Sequence, residues 1–237
     1  MTGEATGVVP STIRRMRVTD LGTLPYRDAW AVQERVHAEV VAGGEEQVLL
    51  VEHPPVITTG RRHDVTRHVL ATPERLAELG VEFVESDRGG DVTFHGPGQV
   101  VAYPIVRLID HGLSVGGYVR RVEETVIAAL RELGVAAQKD TCAIGVWAPD
   151  PAHSGQLAKV TALGVRIRRG VSMHGVAVNV ETDLRYFELI VPCGLTCRPV
   201  TSIRKLLGEA GPDVAMVKRV LAEHVVRAFA SKPAVAK

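Results

Sequence analysis

The sequence contains few aromatic residues and few cysteines, and it carries almost no net charge. Aromatic side chains make up 4% of the 237 residues, so Val, Ala and Leu have to fill the interior. A formal charge of +1 gives no general reason to expect nucleic acid or an anionic membrane as a partner. The three cysteines lack zinc-site spacing, and free thiols are typical of a reduced, cytoplasmic protein.

Long apolar runs and a secretion signal are also missing. No stretch of about 18 apolar residues occurs, so we expect no membrane-spanning helix. Residues 1–11 have no basic start and no apolar core, unlike a signal peptide. We expect flexible tails at residues 1–11 and 231–237, and one domain over residues 12–230.

Between these tails, helical and strand-like patterns alternate. Thr72 and Ser114 are typical N-caps, and apolar residues recur at helical spacing after Ser114. Strand-like runs cluster in the middle of the chain, and residues 213–230 form a helical pattern. The sequence therefore predicts a single α+β domain, with a mixed β-sheet and helices packed on one side.

The segment RGGDVTFHGPGQ, residues 88–99, contains four glycines. No Lys-Ser or Lys-Thr follows, which excludes a P-loop, and the segment leads into a strand, unlike a dinucleotide fingerprint. A tight turn explains residues 96–98, but not the other glycine pair or His95. With glycines on both sides of a predicted strand at residues 91–94, we predict a groove for a long, thin ligand. A simple turn is the alternative.

Cys193 is the candidate nucleophile. In the segment IVPCGL, Pro192 and Gly194 place this thiol on a sharp turn, and neighbouring amides can stabilise an oxyanion there. Cys142 lies in an apolar run, so we expect it to be a small buried hydrophobe. Cys197 is expected to be a bystander.

A nucleophilic thiol needs a partner that manages protons. The candidates are His95, His153, His174 and Lys159, which stands at the head of an apolar strand. The alternative for Lys159 is an ordinary edge lysine. His95 and His174 could join Cys193 as metal ligands, but no paired ligand spacing supports this, and we expect no metal.

Three motifs in order, RGGDVTFHGPGQVVAYPI, KVTALGVRIRRGVSMHGVAVNV and IVPCGL, resemble the octanoyl-[acyl-carrier-protein]:protein N-octanoyltransferase family. The resemblance covers about Thr12 to Leu207. It implies the fold of biotin and lipoate protein ligases and a cytoplasmic monomer without a cofactor. It also implies a catalytic dyad in which Cys193 accepts the acyl group, while Lys159 lowers the pKa of this thiol and acts as acid and base.

The resemblance also implies the acyl-binding residues and the partners. The acyl site would be lined by Arg88, Gly89, Gly90, Asp91, Val92, Thr93, Phe94, His95, Ala162, Leu163, Gly164, Gly175, Val176 and Ala177. The donor would be octanoyl-acyl carrier protein. The acceptors would be lipoyl domains of 2-oxoacid dehydrogenase complexes and the glycine cleavage H protein.

Two other functions stay open. An ATP-dependent ligase on the same fold would need an adenylate-binding Gly-Arg loop, which the sequence lacks. A non-catalytic binder of carrier proteins or lipoyl domains would have no use for Lys159 and Cys193 together. Basic clusters at Arg61-Arg62, Arg120-Arg121, residues 166–169 and Arg204-Lys205 could dock an acidic carrier protein, but the sequence does not select one of them.

Overall fold

The computed structural model describes residues 16–62, 64–191 and 198–230. The strands in these ranges are β1 (Arg17–Thr23), β2 (Gln47–Glu52), β3 (Val56–Thr59), β4 (Glu82–Glu85), β5 (Thr93–His95), β6 (Gln99–Ile105), β7 (Gln138–Lys139), β8 (Val146–Pro149), β9 (Leu157–Arg168) and β10 (Val171–Asn179). The helices are α1 (Tyr26–Val41), α2 (Pro73–Glu78), α3 (Val115–Glu132), α4 (Ile203–Leu207) and α5 (Val214–Ala230). The predicted tails, residues 1–11 and 231–237, lie outside the described ranges.

Within the described residues, the strands form a seven-stranded and a three-stranded sheet. The large sheet has the order β1-β2-β6-β10-β9-β8-β7, and the small sheet has the order β4-β3-β5. β1 pairs with β2, and β3 with β4, in parallel, whereas the other strand pairs are antiparallel. The predicted α+β domain with a mixed sheet is therefore confirmed.

Helices cover both faces of the large sheet, which differs from the predicted packing on one side. Val48 and Leu50 of β2 pack in one apolar cluster with α3 and α5. Leu49 and Val51 point to the opposite face and pack in a second cluster with α1. Because β2 and β6 are buried along nearly their whole length, both of their faces need a covering layer.

The predicted helix caps are present. The Thr72 hydroxyl accepts the N–H of Arg75, and the Ser114 hydroxyl accepts the N–H of Gly117. Each side chain thereby satisfies a backbone donor that has no partner in the first helical turn. The described helices include none that is long and apolar enough to cross a membrane.

A tight turn connects the two sheets between β5 and β6. The N–H of Gln99 donates to the carbonyl of Gly96 at 3.2 Å. Pro97 precedes Gly98, whose φ is +76°, as a type II turn requires. The prediction of a tight turn at residues 96–98 is therefore confirmed.

The predicted strand at 91–94 is wrong in its bounds. The strand lies at Thr93–His95, because the Asp91 carboxylate accepts the N–H of Val92.

Candidate active site

A narrow cavity lies between the glycine-rich segment and strands β9 and β10. All the predicted substrate-binding residues except Gly89 and Phe94 line it. Gly89 instead donates its N–H to the carbonyl of Val165 at 2.9 Å. The Phe94 ring stacks on Tyr186, with 4.8 Å between the ring centroids. The cavity is therefore built from the glycine-rich segment, as predicted, but Phe94 supports it from outside.

Glycines make this close packing possible. A Cβ on Gly164 would lie 2.8 Å from the carbonyl oxygen of Gly89, and a Cβ on Gly175 would lie 2.1 Å from that of Ala102. Both distances are too short for a real side chain. The cavity therefore has bare backbone on two neighbouring strands.

Three residues that the sequence did not point to also line this cavity: Tyr26, Val101 and Tyr103. His174 lines it as well, and for this residue the sequence left several roles open: proton acceptor, metal ligand, a group that positions the substrate, or a hydrogen-bonded core histidine. Val101 and Tyr103 alternate along β6, so period-two spacing was a usable signal for them. Tyr26 opens α1, and nothing local in its sequence points to the cavity.

Arg88 places a buried positive charge on the cavity wall. Its guanidinium donates to the carbonyl oxygen of Thr58 at 2.6 Å, to the hydroxyl of Thr58 at 3.0 Å, and to the carbonyl oxygen of Gly89 at 3.0 Å. These oxygens hold the guanidinium on the cavity wall. From this position it can attract electron density from a ligand carbonyl.

His95 is neutral, and its tautomer follows from its neighbours. The amide nitrogen of Gln99 donates to Phe94 O at 3.1 Å and to Asn179 Oδ1 at 2.8 Å. Gln99 Oε1 therefore accepts the Nδ1–H of His95 at 2.7 Å. His95 Nε2 is left to accept from the Thr58 hydroxyl at 3.3 Å. Burial lowers the pKa of His95 well below its ordinary value.

His174 has an unusual backbone for a strand residue. Its φ is +56°, a conformation that non-glycine residues rarely adopt and that often marks functional sites. The Gln33 side chain holds its N–H at 2.8 Å, and Asp87 Oδ1 lies 2.7 Å from its Nε2. Burial lowers the pKa of His174, against the opposing effect of the Asp87 carboxylate. The first bond holds the backbone of His174, and the second holds its ring beside the cavity.

Lys159 is buried near the head of β9, with only 7% of its surface exposed. β9 lies between β8 and β10, so the interpretation as an ordinary edge lysine is wrong. The backbone of Lys159 donates to Pro199 O and accepts from the N–H of Thr201, each at 2.9 Å. Asn179 reinforces this contact by donating to Thr201 O at 3.0 Å. Lys159 is thereby fixed to the chain that follows residues 192–197.

Cys193 and Cys197 lie outside the described residues, as do Pro192 and Gly194. Val191, two residues before Cys193, donates its N–H to the carbonyl of His68 at 2.7 Å. Arg198 is the next described residue. The structure thus defines both ends of the segment that carries the predicted nucleophile.

The predicted burial of Cys142 is wrong, because this thiol is exposed. The Asp140 carboxylate accepts the N–H groups of Cys142 and Ala143, so the chain bends here and the apolar strand begins only at Val146.

His153, another candidate proton-managing partner of the Cys193 thiol, is exposed and pairs with Asp150 at 2.9 Å. Among the described residues, no group of three side chains suits a metal ion.

A larger open groove, about 900 Å³, lies between β1, β2 and α5. It contains none of the predicted site residues. Its Lys218 pairs with Asp20 at 3.1 Å and with Glu52 at 3.5 Å. The narrow cavity remains the candidate site, because it brings together the residues with perturbed pKa values and the glycine backbone.

Known proteins provide an independent comparison. The lipoyl protein ligase A/B catalytic domain family matches residues 25–226. A relative from Chloroflexus aurantiacus, named octanoyltransferase, is 45% identical over 94% of this chain and 98% of its own. One from Mycobacterium tuberculosis with the same name is 43% identical over 86% of this chain and 83% of its own.

Two solved structures share the fold at low sequence identity. Lipoate-protein ligase A bound with ATP has a TM-score of 0.73 at 15% identity, covering 93% of this chain and 87% of its own. A bipartite lipoate protein ligase from Thermoplasma acidophilum has a TM-score of 0.69 at 15% identity, covering 94% and 88%. The sequence matches therefore assign the family, and the structures support the fold. The relatives named octanoyltransferase confirm the resemblance drawn from the sequence motifs. The chain belongs to the lipoyl protein ligase A/B catalytic domain family.

Proposed function

We propose that this chain transfers an octanoyl group from octanoyl-acyl carrier protein to a lysine of a lipoyl domain. Cys193 carries the acyl group as a thioester, and Lys159 acts as acid and base. The observation that carries the proposal is the placement of Lys159. It is buried in the strand whose residues 162–164 line the cavity, and its backbone is bonded to the chain just after the Cys193 segment.

Transfer begins with a thioester and passes through a second thioester. The Cys193 thiolate attacks the octanoyl carbonyl, the carbon–sulfur bond to phosphopantetheine breaks, and the Lys159 ammonium protonates the departing thiolate. The amine of the acceptor lysine then attacks octanoyl-Cys193. Neutral Lys159 removes the proton of this amine, an amide forms, and Cys193 leaves as thiolate. Both steps use an already activated acyl group, so neither needs ATP.

The cavity has a largely apolar lining with one polar end, and at about 50 Å³ it has to widen to take an octanoyl chain. Gly164 and Gly175 line the cavity without side chains, and Leu163 and Val176 add apolar surface. Each buried methylene contributes about 0.8 kcal/mol, so the cavity can sense chain length. The guanidinium of Arg88 can meet the polar carbonyl end.

Among the predicted basic clusters, Arg61-Arg62 is the best candidate for docking an acidic carrier protein. Arg61 and Arg62 are exposed, and the Arg62 side chain stays 67% exposed while it pairs with Asp91 of the cavity wall at 3.7 Å. Arg166 pairs with Asp87 and Arg168 pairs with Glu34, and these two side chains are only 26% and 36% exposed. The carrier would then dock beside the cavity that receives its acyl chain.

The alternative is an ATP-dependent lipoate ligase. The two structures above are ligases, and one of them is bound with ATP. At 15% identity this likeness shows the fold alone, and fold does not determine function. The relatives with higher identity are named octanoyltransferase, which favours the transferase.

The decisive experiment measures intact mass after the protein is mixed with octanoyl-acyl carrier protein in the absence of ATP. Wild type should gain one octanoyl group that hydroxylamine removes, and Cys193→Ser should form no such thioester. Acylation of a lipoyl domain only after ATP and free octanoate are added would instead establish the ligase. No acylation under either condition would favour the non-catalytic binder.

A further inference from the structure

One fully buried indole contacts two cations, and one of them is Lys159 of the proposed dyad. The Nζ of Lys159 lies 4.7 Å from the ring centroid of Trp147, and the guanidinium carbon of Arg198 lies 4.3 Å from it. Trp147 and Lys159 are opposite each other in the β8–β9 ladder. Arg198 is the first described residue after the segment that carries Cys193. The same ring therefore contacts Lys159 and the end of the Cys193 segment.

The indole is itself held in place. Trp147 has no exposed surface, and its Nε1–H donates to the carbonyl of Ala143 at 3.2 Å. Ala143 lies in the loop from residue 140 to 145, where the Asp140 carboxylate accepts the N–H groups of Cys142 and Ala143. Asp140 also forms an ion pair with Arg198. Ring, loop and Arg198 thus form one connected unit.

The carbon stem of Lys159 is confined from another side. A Cβ on Gly145 would lie 3.3 Å from Lys159 Cε and 2.7 Å from the carbonyl oxygen of Thr161. The Gly145 N–H donates to the buried carboxylate of Glu123, on α3, at 3.0 Å. Gly145 is therefore fixed to a helix, and the lysine stem lies between this glycine and the indole. Such confinement restricts the rotamers of a long side chain.

We propose that Trp147 is a positioning residue that holds the Lys159 ammonium in one place for its role in the proposed dyad, and that Arg198 packs on the same ring to fix it. The inference rests on the proposed roles of Lys159 and Cys193. An aromatic face attracts a cation most strongly when both are shielded from water. An ammonium fixed near a thiol stabilises its thiolate, whereas a mobile ammonium does so less.

The test compares Trp147→Phe, Trp147→Leu and Arg198→Gln with wild type. The first readout is the rate at which the octanoyl adduct forms on Cys193 without ATP. The second is the pH midpoint of Cys193 alkylation by iodoacetamide, followed by peptide mapping. Phe229→Leu is the packing control, because Phe229 is a buried aromatic of α5 that packs on His111 and Tyr118.

We expect Trp147→Leu to slow adduct formation about 10-fold and to move the alkylation midpoint upward by about one pH unit. Trp147→Phe keeps an aromatic face and should show a smaller effect in the same direction. Arg198→Gln should also raise the midpoint. Because Arg198 is partly exposed, Arg198→Gln should fold, and it tests the positioning role if the Trp147 variants do not fold. Phe229→Leu should lower thermal stability without moving the midpoint.

The outcomes separate the inference from the proposed function. A wild-type protein that forms no octanoyl adduct would overturn both. An active wild type with unchanged midpoints in Trp147→Leu and Arg198→Gln would overturn the positioning role alone. Equal midpoint shifts in Trp147→Leu and Phe229→Leu would also overturn it, because general loosening of the core would then explain the data.

Discussion

Replacing His53 with asparagine should make the stability of this chain less sensitive to acid. His53 has no exposed surface, and burial lowers its pKa from 6.5 to about 4. Its Nδ1–H donates to the carbonyl of Leu24 at 2.7 Å, and its Nε2 accepts from the Tyr103 hydroxyl at 2.8 Å. The folded chain therefore holds a neutral imidazole, while the unfolded chain lets it take up a proton.

The sign and size of the effect follow from this difference. Above pH 6.5 His53 is neutral in both states, and its titration does not affect folding. Below that pH the unfolded state binds the extra proton, so the free energy of unfolding falls until the pH reaches about 4. Between pH 8 and pH 5 the loss due to His53 is about 2 kcal/mol.

Urea unfolding, followed by tryptophan fluorescence from pH 8 to pH 5, measures this loss. The free energy of unfolding should fall by about 2 kcal/mol more in wild type than in His53→Asn. Other titrating groups contribute to both proteins and cancel in the comparison. Tyr103→Phe is the matched control, because it removes the same hydrogen bond but keeps the imidazole, and it should retain most of the wild-type slope. Equal slopes in wild type and His53→Asn would refute the reasoning.

Three further predictions concern the site. Lys159→Ala should reduce the rate of the octanoyl adduct on Cys193 by about 10²–10⁴-fold, and a rate near wild type in a rapid-mix mass assay would contradict its proposed role. Gly175→Ala should destabilise the fold by about 1–3 kcal/mol in urea unfolding, because its Cβ would lie 2.1 Å from a backbone oxygen; unchanged stability would show that the strands can separate. Arg61→Glu should raise KM for the acyl carrier protein and leave thermal stability unchanged, because Arg62, and not Arg61, pairs with Asp91; an unaltered KM would place docking elsewhere.

Short-range features could be predicted from the sequence because neighbouring residues determine them. Ser114 and Thr72 cap helices through bonds to residues three positions away. Pro97 and Gly98 form the turn that their backbone preferences favour. The strand before that turn was predicted to begin too early. In a strand the N–H of Val92 would bond to a neighbouring strand, but here the Asp91 carboxylate accepts it.

Long-range features could not be predicted in the same way. An apolar run such as β2 shows that a strand is buried, but not that α1 covers one face and α5 the other. Cys142 precedes an apolar strand, yet its thiol is exposed because a carboxylate bends the chain before the strand begins. The glycine-rich segment was correctly placed at the cavity, since a close backbone approach needs glycines on at least one side. Its partners Tyr26 and Tyr103 were missed, because only tertiary packing brings them there.

Protonation states depend most strongly on this tertiary packing. His53, His95 and His174 are far apart in the sequence, yet each has a pKa lowered chiefly by burial. The ring centroids of His53 and His95 lie only 5.7 Å apart, and protonating either imidazole would disfavour charge on the other. A neutral imidazole wall is compatible with an apolar chain in a way that imidazolium ions are not. We therefore expect the burial that makes the fold sensitive to acid also to favour an uncharged acyl group in the proposed acyl cavity, so that an acidic pH weakens fold stability and acyl binding together.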